Sequence, residues 1–349
     1  MVRTASPAKG PAGDKFDSAS PEETSVNRHP QKRPRVDLTM VGDWGTANFH
    51  TVLGWIAAHM RWRCAPRSKF TVRTGSAYRE GIELVASGEA DLAITTPVHL
   101  GVRWAYEGKH FYAGRPLTQL RTLGRLPQDD RLTFAVRADL GLSSFADIRE
   151  RKPVLQIATP LRDENNLCSY VIDLILRAHG IEPEDIVRWG GSFFDHDSPR
   201  ACLQAAIDGE VNAVFNEAIM LSLWSDWARK TPLAFMAIER DAMQRLVAEY
   251  GVREAVVEPG RVLNEHAVPC VDWSHWATIV RDDMPDDIAY EIASIMVEER
   301  AELEARFRHI PVQHSPMTYP IDPRKMARGV DLPLHPGAQR YYREHGHLE

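Results

Sequence analysis

The stretch "LVASGEADLAITTP", Leu84–Pro97, places a helical pattern directly before a strand pattern. Its first apolar residues follow helical spacing, Gly88 interrupts them, and a strand-like run follows at Leu92–Thr95. A second stretch, "AAIDGEVNAVFNEA" at Ala205–Ala218, has the same order of features. The two stretches therefore predict one type of helix-to-strand joint that is used once in each of two similar halves.

The two copies of the joint align residue by residue. The aligned pairs are Gly88 with Gly209, Glu89 with Glu210, Asp91 with Asn212, and Thr95 with Asn216. Each glycine is expected to end its helix in a left-handed conformation that a Cβ atom would disfavour. A strand then begins at once, and ligands of open α/β sheets bind beyond the carboxyl ends of strands. The strand ends at 95–97 and 216–217 therefore predict two rims that face a common cleft.

The rest of the chain shows a similar alternation of strand and helix patterns. From "VDLTMVG" to "DLAITTP" the order is typical of a parallel sheet with crossover helices. The alternation restarts with the helix "SSFADIRERKP", and it includes "DIVRWGG" as a predicted strand. A late strand, "HWATIVRDDM", and one long helix that begins at Pro285 are expected to return to the first lobe.

The predicted fold class is therefore α/β, with two lobes, two mostly parallel sheets flanked by helices, and two chain crossovers. Asp272 and His275 are expected to form hydrogen bonds at the second crossover. We expect a disordered tail at the start, because its Pro, Ser, Gly and charged residues cannot bury enough apolar surface to fold. The predicted boundaries are 1–35 for the tail, 36–137 with 272–349 for lobe 1, and 138–271 for lobe 2.

Composition and charge argue against several classes of protein. Of the 349 residues, 44% are hydrophobic and 26% are charged, and the net charge of −6 gives no support for nucleic-acid binding. No apolar run reaches the roughly 20 residues of a membrane span. The start also lacks the apolar segment of a signal peptide. We therefore expect no direct membrane insertion, and a cytoplasmic protein as encoded, or a periplasmic one if the start is misassigned.

Motifs for metals, cofactors and nucleophilic catalysis do not occur in the sequence. Cys64, Cys168, Cys202 and Cys270 are far apart, which favours buried free thiols over disulfides or a zinc site. The sequence contains no HExxH, P-loop, hydrolase-elbow or dinucleotide GxGxxG motif. We therefore expect neither a cofactor nor a metal.

Three stretches resemble the TAXI family of solute receptors of TRAP transporters. They are "LVASGEADLAI" at 84–94, "GRPLTQLRTLGRL" with "RLTFAVRADLGLSSFADIRERKPV" at 114–154, and "VDLPLHPGAQRYYRE" at 330–344. The last stretch is the most specific, and the resemblance extends over about residues 36–344. It implies the type II periplasmic-binding-protein fold, a small organic acid as the ligand, and a membrane permease of the TRAP type as a partner.

The resemblance implies less about the identity of the ligand. Members usually have a Gly-Gly-Thr-Tyr-Tyr-like segment after the first strand, where this chain has "WGTANFH" at Trp44–His50. Members also have a Gly-rich turn where this chain has "ATPLRDENN" at Ala158–Asn166. An export signal is missing as well.

The residues expected to bind an organic anion follow strand ends and begin helices. Helix N-termini present unsatisfied N–H groups and a partial positive charge, which suits a carboxylate. Arg79 and Arg162 are candidates for a bidentate clamp, with a solvent-facing charge as the alternative for each. Trp44, Phe49 and Phe215 would cover an apolar part of the ligand, with core packing as the alternative. The complete predicted set is Trp44, Thr46, Asn48, Phe49, Thr74, Ser76, Arg79, Thr95, Thr96, Arg162, Phe215, Asn216 and Glu217.

Two alternative functions would use the same fold. The segment "FFDHDSP" places Asp195–Asp197 at a strand end, where they would form an acid/base pair or part of a metal site. An acid/base pair would support a decarboxylase or lyase acting on an aromatic or small carboxylic acid. In such an enzyme, His196 or Glu217 would transfer the proton. The alternative for this segment is a polar loop that leads to a helix cap at Ser198. The third hypothesis is a cytoplasmic ligand sensor whose tail contacts a partner.

Overall fold

Helices and strands alternate along the chain much as the sequence predicts. The structure is a computed structural model that describes residues 33–42, 48–75, 78–219, 221–312 and 315–349. The first elements are β1 (Asp37–Gly42), α1 (Asn48–Arg63), β2 (Lys69–Thr74), α2 (Tyr78–Ser87), β3 (Leu92–Thr95), α3 (Gly101–Glu107), β4 (Leu120–Leu126) and β5 (Arg131–Arg137).

The middle and the end of the chain continue this alternation. The middle elements are α4 (Phe145–Arg151), β6 (Gln156–Pro160), α5 (Leu167–Ala178), α6 (Pro183–Arg188), β7 (Ser192–His196), α7 (Pro199–Asp208), β8 (Ala213–Glu217), α8 (Leu221–Lys230), β9 (Leu233–Phe235), α9 (Arg240–Tyr250), β10 (Glu254–Val257) and β11 (Val268–Asp272). The last elements are β12 (Trp276–Arg281), α10 (Asp286–Glu298), α11 (Arg300–Ala305), α12 (Pro323–Met326) and α13 (Pro336–Glu344).

Two mixed sheets form the frame of the described chain. The strand order is β2-β1-β3-β12-β4 in the first sheet and β10-β11-β5-β8-β6-β7 in the second, where β9 also pairs with β5. In each sheet three parallel strands, β2-β1-β3 or β7-β6-β8, are followed by an antiparallel strand, β12 or β5. The predicted α/β class and the similarity of the two halves are confirmed. The sheets are mixed rather than mostly parallel, because the strands next to the crossovers run against their neighbours.

Two crossovers connect the sheets and lie side by side. The first joins β4 to β5, and the second joins β11 to β12. Trp273 N donates to Asp130 O at 3.1 Å, and His275 N donates to Gln128 O at 3.1 Å. The hydrogen-bonding role predicted for His275 is therefore confirmed, and the two connections form a paired hinge.

The crossovers bear on the predicted lobe boundaries. Strand β5, which the sequence analysis assigns to lobe 1, pairs with β8 of the second sheet, so the change of sheet occurs between Leu126 and Arg131. Buried side chains of both sheets also share one apolar cluster, which contains Ala93 from the first sheet and Phe134 from the second. The division into lobes therefore stays a prediction, and the predicted tail lies almost entirely outside the described residues.

The helix-to-strand joint has the predicted backbone conformation in both halves. Gly88 and Gly209 each have a φ of 82°, in the left-handed region that glycine tolerates. Their N–H groups return to the preceding helices, at 3.1 Å from Val85 O and 3.2 Å from Ala206 O. The helix therefore ends and the strand begins within a few residues.

Asp91 and Asn212, the aligned residues that follow each glycine, make the same two bonds. Asp91 N donates to Thr39 O at 2.8 Å, and Asp91 Oδ2 accepts from Thr39 N at 2.7 Å. Asn212 N donates to Gln156 O at 3.2 Å, and Asn212 Oδ1 accepts from Gln156 N at 2.8 Å. Each side chain therefore fastens the start of an inner strand, β3 or β8, to the central parallel strand, β1 or β6.

Two sequence predictions about helices and strands are wrong. The segment "DIVRWGG" lies mostly in α6, and strand β7 begins only at Ser192. A capping box between Glu182 and Asp185 and a proline in the first turn, Pro183, favour the helix over the strand. The long last helix is interrupted, because Glu299 separates α10 from α11.

All four cysteines are buried and none of them forms a disulfide, as predicted. Burial raises the pKa of the Cys202 and Cys270 thiols to about 12, so both stay protonated and pack as small apolar groups. Among the helices of the described ranges, none is long and apolar enough to cross a bilayer.

The C-terminal stretch "PLHPGAQRYYRE" covers the edge strand β4. Thr122 N donates to Pro333 O at 3.0 Å, and His335 N donates to Thr122 O at 2.9 Å. His335 then caps α13, since its Nδ1 accepts from Gly337 N at 3.2 Å. A Cβ atom on Gly337 would lie 2.0 Å from Asp286 O, so only glycine allows this close approach to α10. The stretch thus shields an edge that would otherwise offer unpaired backbone groups.

Replacing Asp91 with alanine should lower the free energy of unfolding by about 1–2 kcal/mol, because Thr39 N would lose a partly buried acceptor. Urea unfolding followed by tryptophan fluorescence measures this change. Glu89→Ala is the matched control, because Glu89 is exposed and bonds only locally to Ser87. An equal loss of stability in both variants would contradict the proposed fastening role.

Candidate functional site

The carboxyl ends of β3 and β8 are bonded to the same crossover. Thr96 Oγ1 donates to His275 O at 3.0 Å and to Trp273 O at 3.3 Å. Glu217 Oε1 accepts from the indole Nε1 of Trp273 at 2.5 Å. Two predicted site residues, one from each half, therefore bond to the same short segment, Trp273–His275.

Arg79 makes a second contact between the halves. Its backbone N donates to Asn165 O at 3.4 Å, and its Nη1 donates to Glu164 O at 3.2 Å. Its Nε pairs with Glu83 at 2.7 Å, and the guanidinium lies 5.4 Å from the centre of the Phe111 ring. The start of α2 therefore touches the loop between β6 and α5, and most of the Arg79 guanidinium is already engaged.

Arg162 lies at the rim of the second sheet and retains one unused donor. Its backbone N donates to Asp195 Oδ2 at 3.1 Å, and its Nη2 donates to Asp173 Oδ2 at 3.0 Å. The guanidinium stacks 4.1 Å from the centre of the Phe193 ring. Its Nη1 is buried and has no hydrogen-bond partner among the described residues. The side chain is therefore held rigidly while one N–H group remains available.

Other buried donors at the same rim also lack partners in the described part of the chain. They are the hydroxyls of Thr133 and Thr159 and the amide nitrogen of Asn166. Thr159 precedes the last residue of β6, and Asn166 caps α5 through its Oδ1, which accepts from Ser169 N at 3.1 Å. A buried donor without an acceptor costs free energy, and a ligand that brings acceptors would recover it.

The sequence analysis missed Thr133, Thr159 and Asn166, although signals for two of them were present. Thr159 stands at the end of the predicted strand "VLQIATP", and Asn166 directly precedes an apolar helix. Thr133 gave no such signal, because only its pairing with Asn216 brings it to the rim.

The structure places the remaining predicted residues in several different environments. Phe49 is buried against Trp276 at 5.3 Å, and Phe215 stacks on Phe134 at 4.7 Å, so both rings pack in the core. Thr74 is exposed and bonds to His50 Nε2 at 3.0 Å. Asn48 is the first residue of α1, and Thr95 is buried at the end of β3. Asn216 Oδ1 accepts a hydrogen bond from Glu217 N. Trp44, Thr46 and Ser76 lie outside the described residues.

His196 is the exposed last residue of β7 and has local partners. Its Nδ1 accepts from Ser198 N at 3.0 Å and lies 2.7 Å from Asp197 Oδ1. Ser198 in turn precedes Pro199 at the start of α7. These contacts match the polar loop that the sequence offered as the alternative to an acid/base pair.

The hinge buries ionisable groups mainly in their neutral forms. Asp130 is fully buried, and burial together with the negative charge of Glu217 raises its pKa well above the ordinary value. Burial lowers the pKa of His99 to about 3 and that of His275 to about 4. The hinge is therefore polar, and burial shifts the pKa of Asp130 and of both imidazoles toward the neutral form.

The raised pKa of Asp130 should make stability fall as the pH rises. Above the ordinary pKa of an aspartate, about 3.9, the unfolded chain loses this proton while the folded protein keeps it. Asp130→Asn cannot ionise and keeps an oxygen for Arg131 N, which Asp130 Oδ1 binds at 2.7 Å. Urea unfolding between about pH 5 and about pH 8 should therefore show the native protein losing stability relative to Asp130→Asn.

Asp139→Asn is the control for this measurement, because Asp139 is exposed and the guanidinium of Arg137 lowers its pKa. Its stability difference from the native protein should stay constant over the same range. A constant difference for Asp130→Asn as well would show that Asp130 is already ionised in the folded state.

One family model and several solved structures are similar to this chain. A model of the NMT1-like family matches residues 54–346. Among solved structures, one described as a periplasmic transporter is 11% identical with a TM-score of 0.48, covering 90% of this chain and 95% of that one. A TctC solute-binding protein from Polaromonas is 12% identical with a TM-score of 0.45, covering 90% and 99%.

The alkanesulfonate-binding protein SsuA from Xanthomonas axonopodis pv. citri, bound to MOPS, is 13% identical with a TM-score of 0.40, covering 80% of this chain and 81% of that one. Identities this low do not identify a ligand for this protein. The family match extends over most of the chain, and it includes both crossovers and the rims that they connect. The chain belongs to the NMT1-like family.

Proposed function

We propose that the protein binds a small organic anion, through a carboxylate, between the rims of its two sheets. The observation that carries the proposal is a group of buried donors at Thr159, Arg162 and Asn166 that have no partner among the described residues. All of them offer hydrogens, and an anion with several acceptor oxygens would satisfy them together. The reaction is recognition, and no bond is broken.

The charge at this rim suits a ligand of low charge. Arg162 supplies a positive charge, but Asp173 already neutralises part of it through Nη2. The donors of Thr159 and Asn166 are neutral. The site therefore resembles one that holds a single carboxylate by one shared arginine and several neutral hydrogen bonds.

The two crossovers supply a hinge for closure around this ligand. Arg79, at the start of α2, reaches the loop at Glu164 and Asn165 from the opposite half. Opening would separate this contact while the bonds between the crossovers persist, as in hinge closure of two-part binding proteins.

The resemblance to TAXI receptors supports a further proposal about the partner. A receptor of this kind would deliver the anion to a TRAP-type membrane permease, and it would act outside the cytoplasm. The stretches at 84–94, 114–154 and 330–344 carry this proposal. The lyase and the sensor remain the alternatives, and the variants below distinguish the lyase from the receptor.

Thr159→Val should weaken binding without destabilising the protein. Valine keeps the branched shape but removes a buried hydroxyl that has no partner among the described residues, so the unbound protein should be at least as stable. Affinity for the best ligand in a panel of dicarboxylates, amino acids and aromatic acids should fall about tenfold. Calorimetric titration and thermal unfolding measure the two effects.

Thr278→Val is the matched control, because Thr278 is also fully buried with an unpartnered hydroxyl but lies within β12 of the first sheet. It should gain similar stability and keep its full affinity. Unchanged affinity in Thr159→Val, or no binding of any acid by the native protein, would reject the proposal.

His196→Ala should leave the affinity for the acid unchanged, because among the described residues the ring bonds only to the adjacent Asp197 and Ser198. The acids that bind are then incubated with the protein and analysed for products. Consumption of an acid by the native protein, with a loss of rate by orders of magnitude in His196→Ala, would favour the lyase.

A further inference from the structure

A cavity lies at the hinge, and its lining includes none of the predicted rim residues. It has a volume of about 280 Å³ and is bounded by the first crossover, by His275 of the second, and by the segment around α12. Cavities of a few hundred cubic ångströms are large enough for small metabolites. The side chains that matter for its chemistry are Arg125, His275, Thr318 and Lys325, together with two aspartates.

Arg125 brings an uncompensated positive charge to this cavity. Its Nε donates to Lys325 O at 3.0 Å, and no carboxylate of the described residues pairs with its guanidinium. Burial lowers the pKa of Arg125, the positive charge of Arg253 lowers it further, and the negative charge of Asp272 offsets only part of this shift. A half-buried cation in such surroundings is unfavourable unless a counter-ion is supplied.

His275 brings a neutral hydrogen-bond donor. Its Nδ1 accepts from Gln128 N at 3.3 Å, and burial keeps the ring neutral by lowering its pKa to about 4. A neutral imidazole that accepts at Nδ1 carries its hydrogen on Nε2. No acceptor for this N–H occurs among the described residues. The backbone of His275 also has a φ of 71°. Residues other than glycine adopt this conformation uncommonly, and it is often found at functional sites.

Of the two aspartates in the lining, Asp129 is already paired with arginines, and Asp322 lies at the exposed edge. Asp129 pairs with Arg131 at 2.7 Å and with Arg261, and these charges lower its pKa. Asp322 is exposed and caps α12, since its Oδ1 accepts from Arg324 N at 2.9 Å. Lys325 lies at the exposed rim without an ion-pair partner in the described part of the chain. The balance of charges that line the cavity therefore favours binding of an anion.

The cavity also has fixed walls. Thr318 N donates to Pro127 O at 3.0 Å, which ties the C-terminal segment to the first crossover. A Cβ atom on Gly329 would lie 3.2 Å from the Arg125 guanidinium, so the backbone there covers one side of the cation. The Arg125 guanidinium is thus held in place by its bond to Lys325 O and by this contact.

We propose that this hinge cavity binds a small oxyanion, such as a phosphate, sulfate or carboxylate group, as a second ligand separate from the one between the rims. Arg125 supplies the charge, His275 Nε2 and the Thr318 hydroxyl supply neutral hydrogen bonds, and Lys325 attracts the anion at the entrance. Residues of both crossovers line the cavity. A bound anion would therefore contact the segments about which the two sheets would close.

Inorganic phosphate is the probe for this site. Titration of the full chain should shift the ring resonances of His275, identified by their absence in His275→Gln, and calorimetry should give the affinity. Arg125→Gln should weaken phosphate binding about tenfold or more, since it removes a charge-assisted contact. Sulfate should compete, and chloride at equal ionic strength should not.

Arg121→Gln is the matched control, because Arg121 lies on the same strand but pairs with Asp282 at 3.3 Å. It should bind phosphate as the native protein does. Lys325→Gln changes only an exposed side chain, so it tests the site even if Arg125→Gln fails to fold, and it should weaken binding severalfold. Equal phosphate affinity in Lys325→Gln and the native protein, or an equal effect of chloride, would overturn the proposal.

Thr159→Val separates this site from the one at the rims. It should leave phosphate binding at the hinge unchanged, whatever its effect on organic acids. Equal weakening of phosphate binding by Thr159→Val would instead place the phosphate between the rims and overturn the hinge site.

Discussion

The rest of the structure depends on the backbone hydrogen bonds that join the two crossovers. Gln128 and Asp130 of the first connection accept from His275 and Trp273 of the second. The same short segment holds Thr96 of one rim through its carbonyls and Glu217 of the other through an indole N–H. The relative position of the rims is therefore set by a few hydrogen bonds between the two crossover segments.

The hinge buries polar groups, and burying a charge there without a partner would be unfavourable. Asp130 keeps its proton, and His99 and His275 remain neutral, because ionisation in a buried position would cost more than the local partners recover. The charged groups that do occur beside the hinge are mostly paired, as Asp129 is with two arginines. Arg125 is the exception on the cavity side, which is why that cavity stands out from the rest of the hinge.

The sequence predicts those features of the fold that depend on local chemistry. The left-handed glycines and the strand starts at Asp91 and Asn212 lie within a few residues of each other, so the joint is readable from one short stretch. Phe49 and Phe215 show where prediction from local sequence fails. An aromatic residue near a strand end has the same sequence pattern whether it covers a ligand or packs in the core. The hinge cavity was not predictable, since Arg125, His275 and Lys325 come together only after both crossovers have formed.

The same physical rule identifies both candidate sites, although the two sites differ in their hydrogen-bond donors and charge. A folded chain normally satisfies its buried donors, so a group of donors without acceptors at one place indicates that something else supplies the acceptors. At the rim the donors are buried and mostly neutral, and the single arginine is shared with Asp173, which favours recognition by shape and hydrogen bonding. At the hinge the donors surround an unshared charge, which favours recognition by electrostatic attraction. The two sites would therefore rank anions by different criteria, the rim by shape and hydrogen bonding and the hinge by charge.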